Sequence, residues 1–344
     1  LWSTMNAWVY KGFASTYQRL GVSFDKNYYE SDTYVLGKKD VDMGLEKGVF
    51  YRRDDGSVWI DLTADGMDEK LVLRSDGTSV YMTQDIGTAI QRFIDYPIDN
   101  LTYVVGNEQD YHFKVLFLIL AKLGYAWASN LHHLSYGMVN LPDGRMKSRE
   151  GAVVDADDLL ASMESAAKSL SETLGKTEGL TQGAKQRLYQ TLGDGALKYF
   201  ILKVDPKKTM VFNPEQSIEF TGNTGPFIQY SHARIRSLIR RGGDLPSAWT
   251  WSDIDIQALE GQLIIQLMAY PALITDAAKD LNPSSIANYL YDLAKGFNAF
   301  YQNHSILKAE TPQIAAFRVA LSTEIAAVLK SGLSLLGIKA PEQM

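Results

Sequence analysis

The sequence predicts an α/β fold in which a parallel sheet with crossover helices is followed by an all-helical bundle. Three observations predict it. Strand-loop-helix units follow one another over the first third of the chain. From about Asp155 onward, apolar residues recur at three- and four-residue spacing and strand signals nearly vanish. The 344 residues, 46% apolar and 22% charged, are enough for two or three domains with ordinary cores.

In chain order, Val49 to Arg53 and Ser57 to Leu62 alternate around Asp54-Asp55-Gly56, which predicts a β-hairpin. Leu71 to Arg74 is a further short strand, closed by Ser75-Asp76-Gly77-Thr78. Ser79 to Met82 leads into a helix over about Asp85 to Phe93. Leu101 to Val105 is a continuous β-favouring run, as buried parallel strands tend to be. Gly106 breaks it. A helix is expected from about Asp110 to Leu123, with Gly124 as its stop. Its apolar stretch Val115 to Leu120 is too short for a membrane span and reads as buried. Leu134 to Leu141 is a third strand candidate, ended by Pro142-Asp143-Gly144. The helical half contains Leu259 to Met268, Ile286 to Phe300 and Ile314 to Leu336.

Composition excludes several functions. There is no cysteine, hence no disulfide, cysteine zinc site or thiol nucleophile. This fits a reducing compartment, and the cytoplasm is the expected location. The net charge of −6 argues against a generic basic nucleic-acid binder but leaves local basic surfaces open. No resident metal site is expected. The chain opens Leu-Trp-Ser-Thr, without initiator methionine or signal-peptide pattern, so the expectation is that it is cut from a longer protein.

Ligands of parallel α/β sheets sit beyond the carboxyl ends of the strands. Tyr81 and Asp85, after one strand, and Gln109, after the next, share a crevice if those strands are neighbours. A carboxylate, a phenol and an amide together suit a guanidinium. Spacing alone favours Asp85 as a helix cap and Tyr81 as core. Gly106-Asn107-Glu108-Gln109, with His112, places a glycine and a helix N-terminus where a phosphate fits, although a lone histidine on a helix is more often structural. Arg145-Met146-Lys147-Ser148-Arg149 gathers three cations after a tight turn. It suits a pyrophosphate and equally suits a solvated hairpin tip. Gly222 to Arg234 enters a helix that continues through Arg236, Arg240 and Arg241. Its aromatics and arginines fit unpaired bases and phosphates, or a capped bundle helix with a basic outer face.

Together and in this order, these segments resemble the arginyl-tRNA synthetases, class I enzymes. The family's Tyr-x-x-x-Asp stretch is similar to Tyr81-Met82-Thr83-Gln84-Asp85, and its Gly-x-x-Gln loop with a following His to Gly106 to Gln109 with His112. Its glycine-rich approach to the anticodon helix is similar to Thr224-Gly225-Pro226-Phe227-Ile228-Gln229-Tyr230 with His232 and Arg234. Its terminus is similar to Leu336-Gly337-Ile338 leading to Met344. The resemblance covers nearly the whole chain. It implies a partial class I (Rossmann-like) nucleotide-binding domain over 1–135, a connecting region over 136–182 and a helical anticodon-binding domain over 183–344.

It also implies roles. Asp85 binds the arginine guanidinium, with Tyr81 and Gln109 alongside. Gly106 and His112 border ATP, which brings Mg²⁺. Arg145, Met146, Lys147, Ser148 and Arg149 form the second class I signature. Phe227, Tyr230, His232 and Arg234 face the anticodon stem-loop of arginine tRNA, with Tyr301 and Met344 as further candidates. The expected protein is a monomer without membrane partners that joins L-arginine to its tRNA at the expense of ATP.

Two departures from the family pattern matter. The loop reads Arg-Met-Lys-Ser-Arg where Lys-Met-Ser-Lys-Ser or a close variant is usual, so Lys and Ser are exchanged. The first class I signature, His-x-Gly-His, is absent: none of His112, His132, His133, His232 or His304 has that context. The expectation is therefore a truncated ligase that is inactive alone. A non-catalytic tRNA-binding relative and an unrelated nucleotide-binding α/β enzyme are the alternatives.

Overall fold

A computed structural model describes residues 1–140, 155–175, 178–242, 250 and 254–344. The described chain falls into two compact units, Ser23–Gly137 and Leu1–Val22 with Met138–Met344. Helix α1 (Trp2–Leu20) opens the chain and belongs to the second unit.

The Ser23–Gly137 unit begins with α2 (Glu30–Thr33) and α3 (Lys38–Glu46). The expected hairpin follows as β1 (Tyr51–Arg52) and β2 (Val58–Ile60), and β3 (Lys70–Leu73) joins it, all antiparallel in the order β1-β2-β3. Helix α4 (Tyr81–Asp95) starts four residues earlier than expected. The Thr83 hydroxyl accepts from the Val80 N–H at 3.1 Å and donates to Val72 O, which ties the first turn of α4 to β3. Strand β4 (Leu101–Gly106), helix α5 (Asp110–Lys122) and β5 (Leu131–Tyr136) form a parallel crossover unit. Gly124 follows α5 at φ +94°, a conformation that needs glycine. Val115, Leu116, Ile119 and Leu120 are buried, as their apolar run demands. The core also takes in Val58, Ile60, Val72 and Ile86.

Two expectations are corrected here. The strand before Tyr81 is not a neighbour of β4. Strand β3 pairs antiparallel with β2, because a short connection returns the chain directly alongside. The run Leu134 to Leu141 is not one strand. It breaks at Gly137-Met138, and β6 (Val139–Asn140) pairs instead with β7 (Met210–Val211) in the other unit.

The larger unit is helical: α6 (Ala156–Thr173), α7 (Gln182–Leu202), α8 (Pro214–Ser217), α9 (Gly225–Arg241), α10 (Ala258–Lys279), α11 (Ser284–Asn303) and α12 (Pro312–Leu335). Hydroxyl and carboxyl caps begin several of these helices. Asp155, Thr181, Thr224 and Thr311 each accept a backbone N–H of the first turn. One core gathers α9, α11 and α12 around Ile228, Leu290, Phe297, Phe300 and Leu329. A second forms between α6 and α7 around Met163, Leu192 and Phe212. Helix α1 buries none of its side chains, but its last turns are tied to α6 by Thr16 to Asp157 and by Arg19 to Glu164. Among the described residues no helix is long and apolar enough to cross a membrane.

Candidate functional site

The candidate small-molecule site gathers at the carboxyl end of β4 and the starts of α4 and α5. Tyr81 is the first residue of α4 rather than the end of a strand, and its side chain is largely exposed, at 76%. Asp85 lies one turn later, so the two share a helix face. Although β3 and β4 are not paired, α4 and α5 still bring the expected residues together. His112 Nε2 lies 2.7 Å from Asp85 Oδ2. A carboxylate only accepts, so the imidazole donates here. Asp85 keeps 40% of its side-chain surface exposed, and the other carboxylate oxygen has no hydrogen bond among the described residues. A guanidinium fits such an oxygen.

Gln109 is exposed at the end of the short 3₁₀ turn Asn107–Gln109 that links β4 to α5. Gly106 has φ −59°, open to any residue. A Cβ placed there would meet only the Tyr136 ring, at an ordinary 3.7 Å. Neither backbone nor neighbours require glycine at 106, which leaves an unobstructed backbone edge. Arg145, Met146, Lys147, Ser148 and Arg149 lie outside the described residues.

The candidate RNA surface is on α9. Thr224 caps it, accepting from the Phe227 N–H at 3.2 Å and donating to Glu219 O at 2.5 Å. The two glycines beside this cap have structural causes. Gly222 sits at φ +75°. A Cβ on Gly225 would come 2.5 Å from Gly195 O and 2.9 Å from Tyr199 Cβ, so only glycine lets α9 start against α7. The Phe227 ring is half-buried and lies 5.5 Å from Tyr291, packed on the bundle core. Tyr230, Arg234 and Tyr301 come together: the Arg234 guanidinium lies 4.6 Å from the Tyr230 ring centre and 5.3 Å from that of Tyr301. Asn298 Oδ1 accepts from Arg234 and fixes its direction.

His232 is on a different side of α9 and only 1% exposed; its Nδ1 donates to Pro341 O at 2.9 Å. It is one of a row. Gln229 Nε2 donates to Lys339 O at 2.7 Å, Arg236 Nε to Glu342 Oε2 at 2.6 Å, and Arg240 to Glu342 O at 3.1 Å. Lys330 of α12 adds a 3.2 Å contact to Glu342. Helix α9 thus grips the C-terminal tail along one face, and Met344 packs against the α6–α7 core. Sequence reasoning missed this grip because the partners lie about a hundred residues apart and carry no local signal. Among the described residues no group of three or more His, Asp and Glu is arranged to hold a metal.

Comparison with known proteins identifies the family and the fold. A family model described as "tRNA synthetases class I (R), catalytic domain" matches residues 1–213, and "DALR anticodon binding domain" matches 228–344. The chain is 59% identical to the arginine–tRNA ligase of Flavobacterium psychrophilum and 56% identical to that of Parabacteroides distasonis, over its whole length. It spans 57% and 58% of those relatives. Among solved structures it is similar to the Thermus thermophilus arginyl-tRNA synthetase, with a TM-score of 0.86 at 25% identity, covering 96% of this chain and 62% of that one.

Proposed function

This chain belongs to the class I tRNA synthetases of the arginine type, and from that membership we propose that it forms the arginine-binding and tRNA-binding parts of an arginine–tRNA ligase. The observation that carries the reading is Asp85. It is a half-exposed carboxylate with one oxygen oriented by His112 and the other available, beyond the end of a parallel strand. In this reading the free oxygen receives the arginine guanidinium, and Tyr81 and Gln109 line its approach. Gly106 leaves room for ATP beside the backbone, with His112 at its border. Arg145 to Arg149 meet the leaving pyrophosphate.

The reaction has two steps. An arginine carboxylate oxygen attacks the ATP α-phosphate, forming arginyl-adenylate as the bond to pyrophosphate breaks. The terminal ribose hydroxyl of the tRNA then takes the arginyl group and AMP leaves. Mg²⁺ belongs to the ATP phosphates and supplies charge neutralisation there. This chain's residues contribute positioning and electrostatic complementarity. A site that pairs with a guanidinium rejects neutral analogues strongly, so no editing site is needed. The division into 1–135, 136–182 and 183–344, action as a monomer, and a cytoplasmic location complete the proposal.

Calorimetric titration tests it. The 344-residue chain should bind arginine in preference to citrulline, whose urea group has the same shape without the charge. Asp85→Asn should weaken arginine by about 1.5–3 kcal/mol, the usual contribution of a hydrogen bond to a charged group, and leave ATP nearly unchanged. Equal weakening of both ligands would make Asp85 a structural residue. We also propose that these residues alone, having no His-x-Gly-His, do not form the adenylate. Arginine-dependent ATP–pyrophosphate exchange at the rate of an intact relative would overturn that.

A further inference from the structure

The turn Asn107–Gln109 carries Gln109 and follows Gly106, yet little within it holds it in one shape. Asn107, Glu108, Gln109 and Asp110 are all exposed, so no buried side chain anchors it. Neither the turn nor α5 begins with a side-chain cap. Gly106 has an ordinary backbone angle and room for a Cβ, so close packing does not fix it either. A short exposed turn of this kind opens locally unless groups outside it hold its two ends. The far end is held through the first turn of α5. The Tyr111 hydroxyl accepts from the Asp68 N–H at 3.2 Å and donates to the Asp68 carboxylate at 3.1 Å, and His112 donates to Asp85.

The near end is held by His133. It lies on β5 opposite Tyr103, in a register that sets Val105 opposite Ser135 and Gly106 opposite Tyr136. Its ring lies 4.4 Å from the ring of Phe113 of α5, and its side chain keeps 10% of its surface exposed. Nε2 is 3.0 Å from Val105 O, the last carbonyl before Gly106. A carbonyl only accepts, so Nε2 donates whatever the charge on the ring. Nδ1 lies 3.4 Å from Asp110 Oδ1, on the first residue of α5. The doubly protonated ring donates there as well. One largely buried imidazole therefore meets the residue before the Gly106–Gln109 loop and the residue after it.

We propose that His133 is a positioning residue for the small-molecule site. By clamping the strand end at Val105 O, with Asp110 against its other nitrogen, it fixes the loop that carries both the Gly106 backbone edge and the Gln109 side chain. Groups held in place before a ligand arrives lower the ordering cost of binding. The consequence for ligands rests on the function proposed above, in which Gln109 lines the approach of arginine and Gly106 borders ATP. Loss of the clamp then weakens both ligands, whereas Asp85→Asn weakens arginine alone. A histidine that merely filled the space beside Phe113 would affect neither.

The test compares the 344-residue chain with His133→Phe and His133→Gln, each checked for folding by circular dichroism. His133→Phe keeps an aromatic ring beside Phe113 and removes both nitrogens. His133→Gln presents an amide N–H at the reach of Nε2 and restores the donation to Val105 O. Backbone order parameters from ¹⁵N relaxation read the loop without any ligand. Those of Asn107 to Gln109 should stay near about 0.85 in the parent and the Gln variant, and fall toward about 0.6 in the Phe variant. In calorimetry the Phe variant should bind arginine and ATP each about fivefold more weakly, as for one lost hydrogen bond of ordinary strength, and the Gln variant should recover both. A folded Phe variant with a loop as rigid as the parent's overturns the inference. So does a Gln variant as loose as the Phe variant, because the donated hydrogen bond would then not be what holds the loop. Should the Phe variant fail to fold, the parent's ring spectrum decides: a His133 Nε2–H protected from water supports the clamp, and an unprotected one overturns it. A loosened loop with unchanged affinities would overturn the positioning role and leave the function proposal intact. A parent that binds neither arginine nor ATP would count against the function proposal, while the order parameters still decide whether His133 holds the loop.

Discussion

Arg234 illustrates how much of a side chain's role is set by distant residues. Its guanidinium lies between Tyr230 and Tyr301, and its direction is set by Asn298, 64 positions away in sequence. Cation–π contact on two sides holds a planar cation where a base can stack on the same assembly. Tyr230→Ala should therefore weaken binding of arginine tRNA by about 1–3 kcal/mol, with unchanged circular dichroism. An unaltered affinity in a folded variant would make this face ordinary bundle surface. His232, two residues from Tyr230, is buried and bonded to Pro341 O. Burial pushes its imidazole below the usual range; Pro341 O and Glu342 oppose the shift, while Arg236 and Lys330 add to it. The unfolded chain, titrating near pH 6.5, then takes up the proton first as pH falls. The stability linked to a neutral His232 is complete above about pH 6.5 and declines below it. His232→Asn keeps a donor for Pro341 O and removes the titration. Its melting temperature should fall less than the parent's from about pH 7 to about pH 5. Parallel falls in the two proteins would show that His232 does not govern this range.

At the scale of elements, the crossing of α7 and α9 is the contact with least tolerance. Gly225 faces Gly195 O and Tyr199 Cβ, and a Cβ on Gly195 would in turn meet Gln229, whose amide bridges Thr191 O at 3.1 Å and Lys339 O at 2.7 Å. A methyl group at 225 has no direction in which to relax except by moving a helix. Gly225→Ala should cost about 1–3 kcal/mol, the usual penalty of overpacking, read as a lower urea midpoint at constant slope. A midpoint equal to the parent's would mean that the two helices separate freely. The same substitution should weaken tRNA binding only as far as it tilts Tyr230 and Arg234. The Gly-x-Thr-Gly-Pro segment is therefore explained first by architecture: one glycine for its backbone angle, one for close approach, a threonine for the cap and a proline for the first turn.

At the scale of the molecule, the described residues form separate cores. Ser23–Gly137 has its own, built from both small sheets, α4 and α5, while the helical unit has two. Chains organised in this way depart from all-or-none unfolding. Urea denaturation followed by helical circular dichroism, dominated by the larger unit, should not coincide with fluorescence of Trp59 and Trp127, followed in a variant whose other tryptophans are replaced by phenylalanine. Trp127 stacks on Phe93 at 4.0 Å inside the smaller core and reports its loss. Superimposable curves would mean that the chain unfolds as one cooperative body.

What the sequence determined by itself was local. Periodicity placed α5, α11 and α12 to within a few residues and found the start of α10, which runs on past Met268 to Lys279, while turn chemistry placed the β1–β2 hairpin and the stop at Gly124. The order of short motifs identified the family. These signals span a few residues, and a helix or hairpin answers to its own side chains. The tertiary structure decided the pairings. Leu134 to Leu141 reads as one strand, but residues on either side of Gly137-Met138 pair with different strands, because a strand's partner is chosen by what lies alongside rather than by its own composition. Spacing did not reveal that Asp85 meets His112, that His232 faces the tail rather than the Tyr230 surface, or that His133 holds Val105 O. Each depends on residues 27 to 109 positions apart. Such contacts form only when buried apolar surface has already brought the helices together, and that cooperative event leaves no mark at any one position of the chain.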